Sequence, residues 1–490
     1  MFSELSPLAE THLPPLLCDF TAGRLLHSDS RKIRPGDIFI ACQGEYTDGR
    51  SYIPAAIDNG AAFVFWDDDG TFAWPSEYTV PNQGIKDLKR RAGIVAAAVY
   101  GNVSDGLTVW GVTGTNGKTS ISQWLAQAGD LLGTPTAVIG TVGNGFWGKL
   151  EAATHTTPDP VSVQTLLHHF AGQNAKNVAM EVSSHGLDQF RVNGTAFKSA
   201  IFTNLTRDHL DYHGSMQAYG EIKARLFYWQ GLQHAFINID DDYGAVLAGR
   251  LKAERPDLAV YGYGFGEQAD IRINRFSAAS DGMNVMLATP WGRSEINSRL
   301  LGRFNAQNLA ACVGLLCANG YPLDKVSAAL AQIRPATGRM DCIMNPGKPL
   351  VVVDYAHTPD ALEKAIATLN EIKPQGAVLW CVFGCGGNRD KGKRPLMGAA
   401  ATAADKVVVT SDNPRMEEPQ DIINDILPAV PQPERVEADR AAAIRYAVAQ
   451  AAPQDIILIA GKGHETYQDI LGQKQHFSDF EVAEAALVGR

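Results

Sequence analysis

The run Gly114-Thr115-Asn116-Gly117-Lys118-Thr119 sits between an apolar segment, residues 107–112, and a helix-compatible stretch, residues 120–132. A strand that passes into a helix through glycines turns successive backbone N–H groups toward one point, and the positive end of the helix adds to them. The result is a cradle for phosphate, in which Lys118 can reach the β- and γ-phosphates and the Thr119 hydroxyl can hold Mg²⁺. Gly114, Thr115, Asn116, Gly117, Lys118, Thr119 and Ser120 are therefore candidate ATP-binding residues. The general form of such a loop carries a glycine five positions before its second glycine, whereas position 112 is Val, so this loop is a shortened variant. A glycine turn without a ligand is the competing reading, and the strand before the loop and the helix after it argue against that.

A chain of 490 residues exceeds one ordinary core, and its apolar runs fall into three groups. The first alternates short apolar runs at 37–41 and 61–66 with a helix-like stretch at 52–59, and reaches a turn-rich joint at 81–84. The second leads from about residue 85 into the phosphate loop and then through strand candidates at 177–180, 200–203 and 235–238. The third begins near 335–338 and alternates most clearly, with strand candidates at 350–353, 377–380, 406–409 and 456–459. Strands alternating with helices imply mostly parallel sheets. The expected fold is α/β in three domains: a small N-terminal α/β domain at 1–84, a central P-loop-type domain with a mostly parallel sheet at 85–335, and a C-terminal Rossmann-like α/β domain at 336–490. In open α/β sheets ligands bind beyond the carboxyl ends of the strands, so 354–357, 386–391, 412–415 and 461–465 are expected on one rim, where an amino acid would enter.

A formal net charge of −10 disfavours a nucleic-acid partner, because binding to a phosphate backbone needs clustered Lys and Arg. The seven cysteines are odd in number and include no CxxC pair, which suits reduced thiols rather than a zinc site. The first residues lack the basic and apolar regions of a signal peptide, and no segment is apolar for the length of a membrane span. A monomeric cytoplasmic protein is expected.

Several further motifs resemble those of the Mur ligases, the ATP-dependent enzymes that build the peptide stem of peptidoglycan, and within that family the branch that adds diaminopimelate. They are Met180-Glu181-Val182-Ser183-Ser184-His185-Gly186, Asn204-Leu205-Thr206-Arg207-Asp208-His209-Leu210-Asp211, Lys223-Ala224-Arg225-Leu226-Phe227, Gly302-Arg303-Phe304-Asn305-Ala306-Gln307-Asn308, Asp354-Tyr355-Ala356-His357-Thr358-Pro359 and Asp412-Asn413-Pro414-Arg415, together with the phosphate loop. The resemblance spans nearly the whole chain. It implies an amide ligase that joins meso-2,6-diaminopimelate to the D-glutamate γ-carboxylate of UDP-N-acetylmuramoyl-L-alanyl-D-glutamate through an acyl phosphate, with ATP as cosubstrate and Mg²⁺ as cofactor.

The resemblance also implies site residues. Thr119, Glu181 and His209 would ligate magnesium, although by residue type alone His209 reads as a hydrogen-bonded loop residue. Lys223, otherwise an ordinary solvated lysine, would be carbamylated to N6-carboxylysine and hold a second Mg²⁺; carbamylation requires a neutral amine and so a depressed lysine pKa. Lys118, Glu181, His209 and Lys223 would form the catalytic group. Asn305 and Asn308 would meet adenine, with Asn308 equally suited to cap or cross-link local structure, and Arg339 and Asp354 would place phosphate and ribose. Ser28, Ser30, Glu45, Tyr46 and Thr47, in segments that alone read as turns, would contact the UDP end of the acceptor. Thr156, Thr157, Ser183, Gln189 and Arg191 would hold its pyrophosphate, sugar or peptide. Arg389, Asp412, Asn413, Pro414, Arg415, Gly461 and Glu465 would bind diaminopimelate, with the Arg415 fork on the second carboxylate that lysine lacks; Glu465 alone reads equally as a helix cap. The rival readings are a lysine-adding relative, a folate polyglutamylating ligase and a nucleotide-gated binding protein.

Overall fold

The computed structural model describes residues 23–44, 47–279 and 281–489, and all structural statements refer to these. Three mostly parallel sheets organise them. The first runs Leu26–His27, Ile38–Ala41, Phe63–Asp67, Asn82–Ile85, every neighbour parallel. The joint expected at 81–84 is thus the fourth strand of this sheet. Its sequence, Asn-Gln-Gly-Ile, lacks apolar alternation because it lies on an edge and is held by backbone pairing with Val64 to Asp67. The helix Leu88–Val99 that follows belongs to the same unit. Its Leu88, Ala92, Val95, Ala96 and Val99 share one core with Leu26, Ile38, Ile40, Phe63 and Phe65.

The second sheet places Thr108–Thr113 between Phe197–Phe202 and Asn177–Glu181, with Thr136–Ile139 on one side and His234–Asn238 and Ala259–Gly264 on the other, all parallel. Runs such as Val-Ala-Met in Asn177–Glu181 are buried on both faces, as parallel strands covered by helices must be. Antiparallel strands extend both edges. The longer extension begins with Ile271–Ala279, parallel to Ala259–Gly264, and continues antiparallel through Gly282–Thr289 and Gly292–Ser298; it partly alternates buried and exposed residues, and the sequence did not predict it.

The third sheet runs Asp341–Ile343, Leu350–Asp354, Ile456–Ala460, Leu379–Phe383, Lys406–Thr410, Arg435–Glu437, parallel except at its first strand. The strand expected at 377–380 begins two residues later, after the turn that Ala377 closes onto Pro374. Helices begin with polar caps where the chain leaves a strand: the Thr358 hydroxyl accepts from Ala361 N, and Asp439 accepts from Ala441 and Ala442 N. A small hairpin, Tyr467–Ile470 with Gln473–His476, closes over one end. The second and third sheets meet rim to rim, through Asn116 Nδ2 on Asp360 (3.2 Å), Arg339 Nη2 on Thr119 Oγ1 (3.3 Å) and the ion pair Arg207–Asp390 (3.4 Å).

Candidate active site

Strand Thr108–Thr113 ends directly in the glycine loop, and helix Lys118–Leu131 starts at its lysine. Gly114 has φ +140°, and a Cβ there would lie 1.9 Å from Thr203 Oγ1, so only glycine lets the loop lie against the neighbouring strand end. That neighbour then fixes the loop. Thr115 N donates to Asn204 O (2.9 Å), Asn116 N to Asn204 Oδ1 (3.0 Å), and Thr203 Oγ1 to Asn116 O (2.5 Å).

Two ammonium groups converge on one carbonyl of this loop: Lys118 Nζ and Lys223 Nζ each donate to Gly114 O at 2.8 Å. Lys223 comes from helix Met216–Ala224 and is buried, its Nζ 4.4 Å from the centre of the Tyr219 ring. Burial, reinforced by the Lys118 charge, holds its amine well below the ordinary lysine value. Burial lowers Lys118 as well, with Glu181 opposing and Arg339 adding to the effect. Positive charge is therefore crowded around the loop in a region of low polarity, which a polyphosphate would relieve.

Glu181, fully buried at the end of Asn177–Glu181, accepts from Thr119 Oγ1 (3.0 Å), Thr141 N (2.8 Å) and Thr141 Oγ1 (3.0 Å). The hydroxyl of Thr119 beside this carboxylate is a pair of hard oxygen donors of the kind Mg²⁺ prefers. His209 stands with other partners: its Nε2 lies 3.3 Å from Asp208 Oδ2, and its ring packs against His185 with centroids 4.9 Å apart. Burial lowers its pKa, against the pull of Asp208. Among the described residues no three His, Cys, Asp or Glu side chains gather as a metal-binding group. The structure therefore joins Thr119 to Glu181, and leaves His209 on Asp208 and Lys223 on the Gly114 carbonyl.

A cavity opens beside the loop, lined by Asn116, Gly117, Ser120, Asn305, Asn308, Arg339 and Asp354, together with Asn204, Asp240, Phe304 and Lys364. Asn308 Nδ2 donates to Asn305 Oδ1 (3.2 Å), the cross-linking role left open for it, and Asn305 Nδ2 donates to Leu301 O (2.7 Å). The Arg339 guanidinium lies over the Tyr355 ring at 4.4 Å. Asp354 accepts from Met340 N at 2.6 Å, and burial pushes its carboxyl up to about 6 with Arg339 opposing.

The second cavity takes Arg389, Asp412, Asn413, Arg415, Gly461 and Glu465 from the rim of the third sheet, and Asp208 and His209 from the second. The expected convergence on one rim is present. Pro414 lies just behind the lining, its carbonyl 1.9 Å from where a Cβ on Gly387 would sit. Gly461 has φ +120°, and a Cβ there would come within 2.5 Å of Asp412 Oδ2, so the approach of these two loops requires glycine. Arg415 occupies left-handed backbone at φ +52° and is clamped by the hairpin: its N donates to Asp469 O (2.9 Å) and its O accepts from Leu471 N (2.7 Å). Its Nη1 donates to Gly387 O at 2.8 Å. Glu465 Oε2 accepts from Asn413 Nδ2 (2.8 Å) and from Lys462 Nζ (2.9 Å). Glu465 is thus tied into the cavity wall.

Thr157 and Ser183 surround the Glu181 backbone: Thr157 Oγ1 donates to Glu181 O (2.7 Å) and accepts from Ser183 N (3.0 Å), while Thr156 Oγ1 pairs with Thr141 Oγ1 (3.0 Å). Arg191 is bonded within the protein. Its Nε and Nη2 both donate to Gln189 Oε1 (3.0 and 2.6 Å) and its Nη1 to Thr157 O (2.8 Å), which holds Gln189, Arg191 and Thr157 as one group. Ser28, Ser30 and Thr47 lie on loops of the first sheet, beyond Leu26–His27 and Ile38–Ala41; Ser30 is buried, Ser28 and Thr47 exposed. Glu45 and Tyr46 lie outside the described residues.

Thr141, Thr203, Asn204, Asp208 and Lys462 act in these sites without having been singled out. Asn204 and Asp208 stand in a motif named above, but each of the five also has a partner distant in sequence, such as Glu181 for Thr141 and Asn413 for Lys462. Asp208, for instance, also approaches His357 of the third sheet at 3.8 Å.

Three family models match in succession: "Mur ligase family, catalytic domain" over residues 24–100, "Mur ligase middle domain" over 112–316 and "Mur ligase, glutamate ligase domain" over 338–463. A protein of Neisseria meningitidis named UDP-N-acetylmuramoyl-L-alanyl-D-glutamate–2,6-diaminopimelate ligase is 76% identical over the full length of both chains. A protein of the same name from Chromobacterium violaceum is 58% identical over 94% of each chain. A solved structure of a ligase so named superposes with a TM-score of 0.68 at 36% identity, covering 95% of this chain and 94% of the other.

Proposed function

The chain belongs to the Mur ligase family of ATP-dependent amide ligases, and on that footing we propose that it joins meso-2,6-diaminopimelate to the γ-carboxylate of UDP-N-acetylmuramoyl-L-alanyl-D-glutamate. The observation that carries this reading is the cavity shared by two sheets, which Arg415, Asn413 and Glu465 line together with Asp208 and His209. An amino acid with a second carboxylate is what a clamped arginine in such a cavity selects.

In this reading the glycine loop and Lys118 hold the ATP phosphates, and the cavity with Asn305, Asn308, Arg339 and Asp354 takes the nucleoside. A γ-carboxylate oxygen attacks the γ-phosphorus, the bond to ADP breaks, and an acyl phosphate forms. The amine of diaminopimelate then attacks the carbonyl carbon, the C–O bond to phosphate breaks, and the amine loses a proton. Lys118 stabilises charge that grows on the transferred group, by position and electrostatics rather than by covalent chemistry. The donor set of Thr119 and Glu181 suits Mg²⁺, which when bound neutralises phosphate charge; His209 would join it by turning from Asp208. Lys223 has the lowered amine pKa that carbamylation needs, and conversion to an anion would remove the repulsion at the Gly114 carbonyl.

Ser28, Ser30, Glu45, Tyr46 and Thr47 would meet the UDP end of the acceptor, and Thr156, Thr157, Ser183, Gln189 and Arg191 its pyrophosphate, sugar or peptide. Arg389, Asp412, Pro414 and Gly461 complete the amino-acid site. We place the domain joints after Val99 and near Pro335. We take the protein to act as a monomer, and no helix among the described residues is long and apolar enough to cross a membrane. Nucleotide substrates suit a cytoplasmic location. The test is the product: ATP, Mg²⁺, the UDP-linked dipeptide and diaminopimelate should yield a UDP-tripeptide of the summed mass less one water, and recovery of unchanged dipeptide would refute the reading.

A further inference from the structure

Lys462 is fully buried between Gly461 and Gly463, in the loop that ends at Glu465. A buried ammonium needs acceptors to offset its lost hydration. Its Nζ finds two, Asn413 Oδ1 at 3.0 Å and Glu465 Oε2 at 2.9 Å. The same Asn413 Oδ1 accepts from Asp469 N at 3.0 Å, and Asn413 Nδ2 donates to Glu465 Oε2 at 2.8 Å. The two ends of an amide are told apart by their partners. Two donors on Oδ1 and an acceptor on Nδ2 give Asn413 one orientation, with its second Nδ2 hydrogen left for the cavity it lines. Glu465, lining the same cavity, has Oε2 occupied twice and Oε1 left for a ligand.

We propose that Lys462 is a positioning residue for amino-acid selection, locking Asn413 as a hydrogen-bond donor toward a carboxylate of the incoming substrate and Glu465 as an acceptor toward its ammonium. The proposal rests on the diaminopimelate-ligase reading above. Without the ammonium, Asn413 Oδ1 keeps only the Asp469 N–H and Glu465 Oε2 only the Asn413 amide, so both side chains are held less firmly in the cavity wall beside Arg415. Glu465 would lose the charged one of the two donors on its Oε2. Lys462 itself touches no substrate. Its hydrogen bonds stay within the amino-acid site, so its influence should fall on that substrate and not on ATP.

The test compares wild type with Lys462→Met, which keeps the length of the side chain and removes its charge, by steady-state kinetics in each of the three substrates and by thermal melting. The KM for meso-diaminopimelate should rise about tenfold or more, the effect of losing a charged hydrogen bond, while the KM values for ATP and the UDP-dipeptide stay within about twofold and kcat at saturating diaminopimelate within a few-fold. Asn413→Asp is the second variant. It keeps a partner for Lys462 but replaces the donor by an acceptor, and should raise the same KM at least as much; it decides the question where Lys462→Met does not fold. A folded Lys462→Met with an unchanged diaminopimelate KM, a parallel rise in all three KM values, or an Asn413→Asp protein with the wild-type KM would each overturn the proposal. Failure of the wild type itself to use diaminopimelate would overturn the functional reading and this proposal with it.

Discussion

At the scale of single residues, the site is shaped by charges held where water cannot reach them. Lys118 and the buried Lys223 share one carbonyl, and a second positive charge there is disfavoured, so burial and the Lys118 charge together hold the Lys223 amine toward its neutral form. Lys118→Ala should lower ligase turnover about 100-fold or more while leaving the melting temperature near that of wild type, since it removes a donor aimed at developing charge. Lys223→Ala should be nearly inactive and recover part of its rate when a small carboxylate such as formate is added; full activity without additive would exclude a carbamate at this position. Arg415→Ala should raise the KM for diaminopimelate by about two orders of magnitude, as expected for a bidentate charged contact, with the KM for ATP little changed.

At the scale of elements, the site depends on loops pinned from behind. Arg440, at the start of helix Arg440–Gln450, is fully buried with Asp479 (2.7 Å) and donates to Ser411 O (3.2 Å) and Ala460 O (3.0 Å), tying together the two strand ends that lead to Asp412 and Gly461. Asp479→Ala would leave an unpaired buried guanidinium and should cost about 3–5 kcal/mol, read by urea unfolding. Strands of the third sheet were legible in the sequence because they are buried on both faces and so appear as continuous Val and Ile runs; the glycine loop was legible because its chemistry is local. The edge strand Asn82–Ile85 was not, since it is held by backbone pairing and carries little apolar pattern, and in 271–298 the alternation is broken by the register shift between Ile273 and Arg275. The sequence pointed to Glu181 but not to Thr141, and to Glu465 but not to Lys462: Thr141 reaches Glu181 and Lys462 reaches Asn413 only once the chain is folded.

At the scale of the whole molecule, the glycine loop and the rim that carries Arg415 belong to different sheets, and the proposed reaction needs those sheets held together. Arg207–Asp390, Asn116–Asp360 and Asp208–His357 join them across the cavity. Several histidines near this junction are kept neutral by burial: His213 and His357 are pushed down to about 4 and His464 to about 3. In the unfolded chain each would take a proton near pH 6.5, so between roughly 6.5 and 4 the unfolded state binds more protons. Stability should therefore be full above pH 6.5 and fall as the pH drops through that window. Urea midpoints at pH 7.5 and 4.5 would show it, and His357→Gln should flatten the slope. In the proposed reaction both substrates of the second step meet at one cavity whose arginine chooses the amino acid. This is tested most directly by phosphate release from the purified protein with ATP, Mg²⁺ and the UDP-linked dipeptide, with meso-diaminopimelate or L-lysine as the amine. Release that requires diaminopimelate, with lysine poorer by about 10⁴-fold, is the predicted result; equal or greater release with lysine would contradict it.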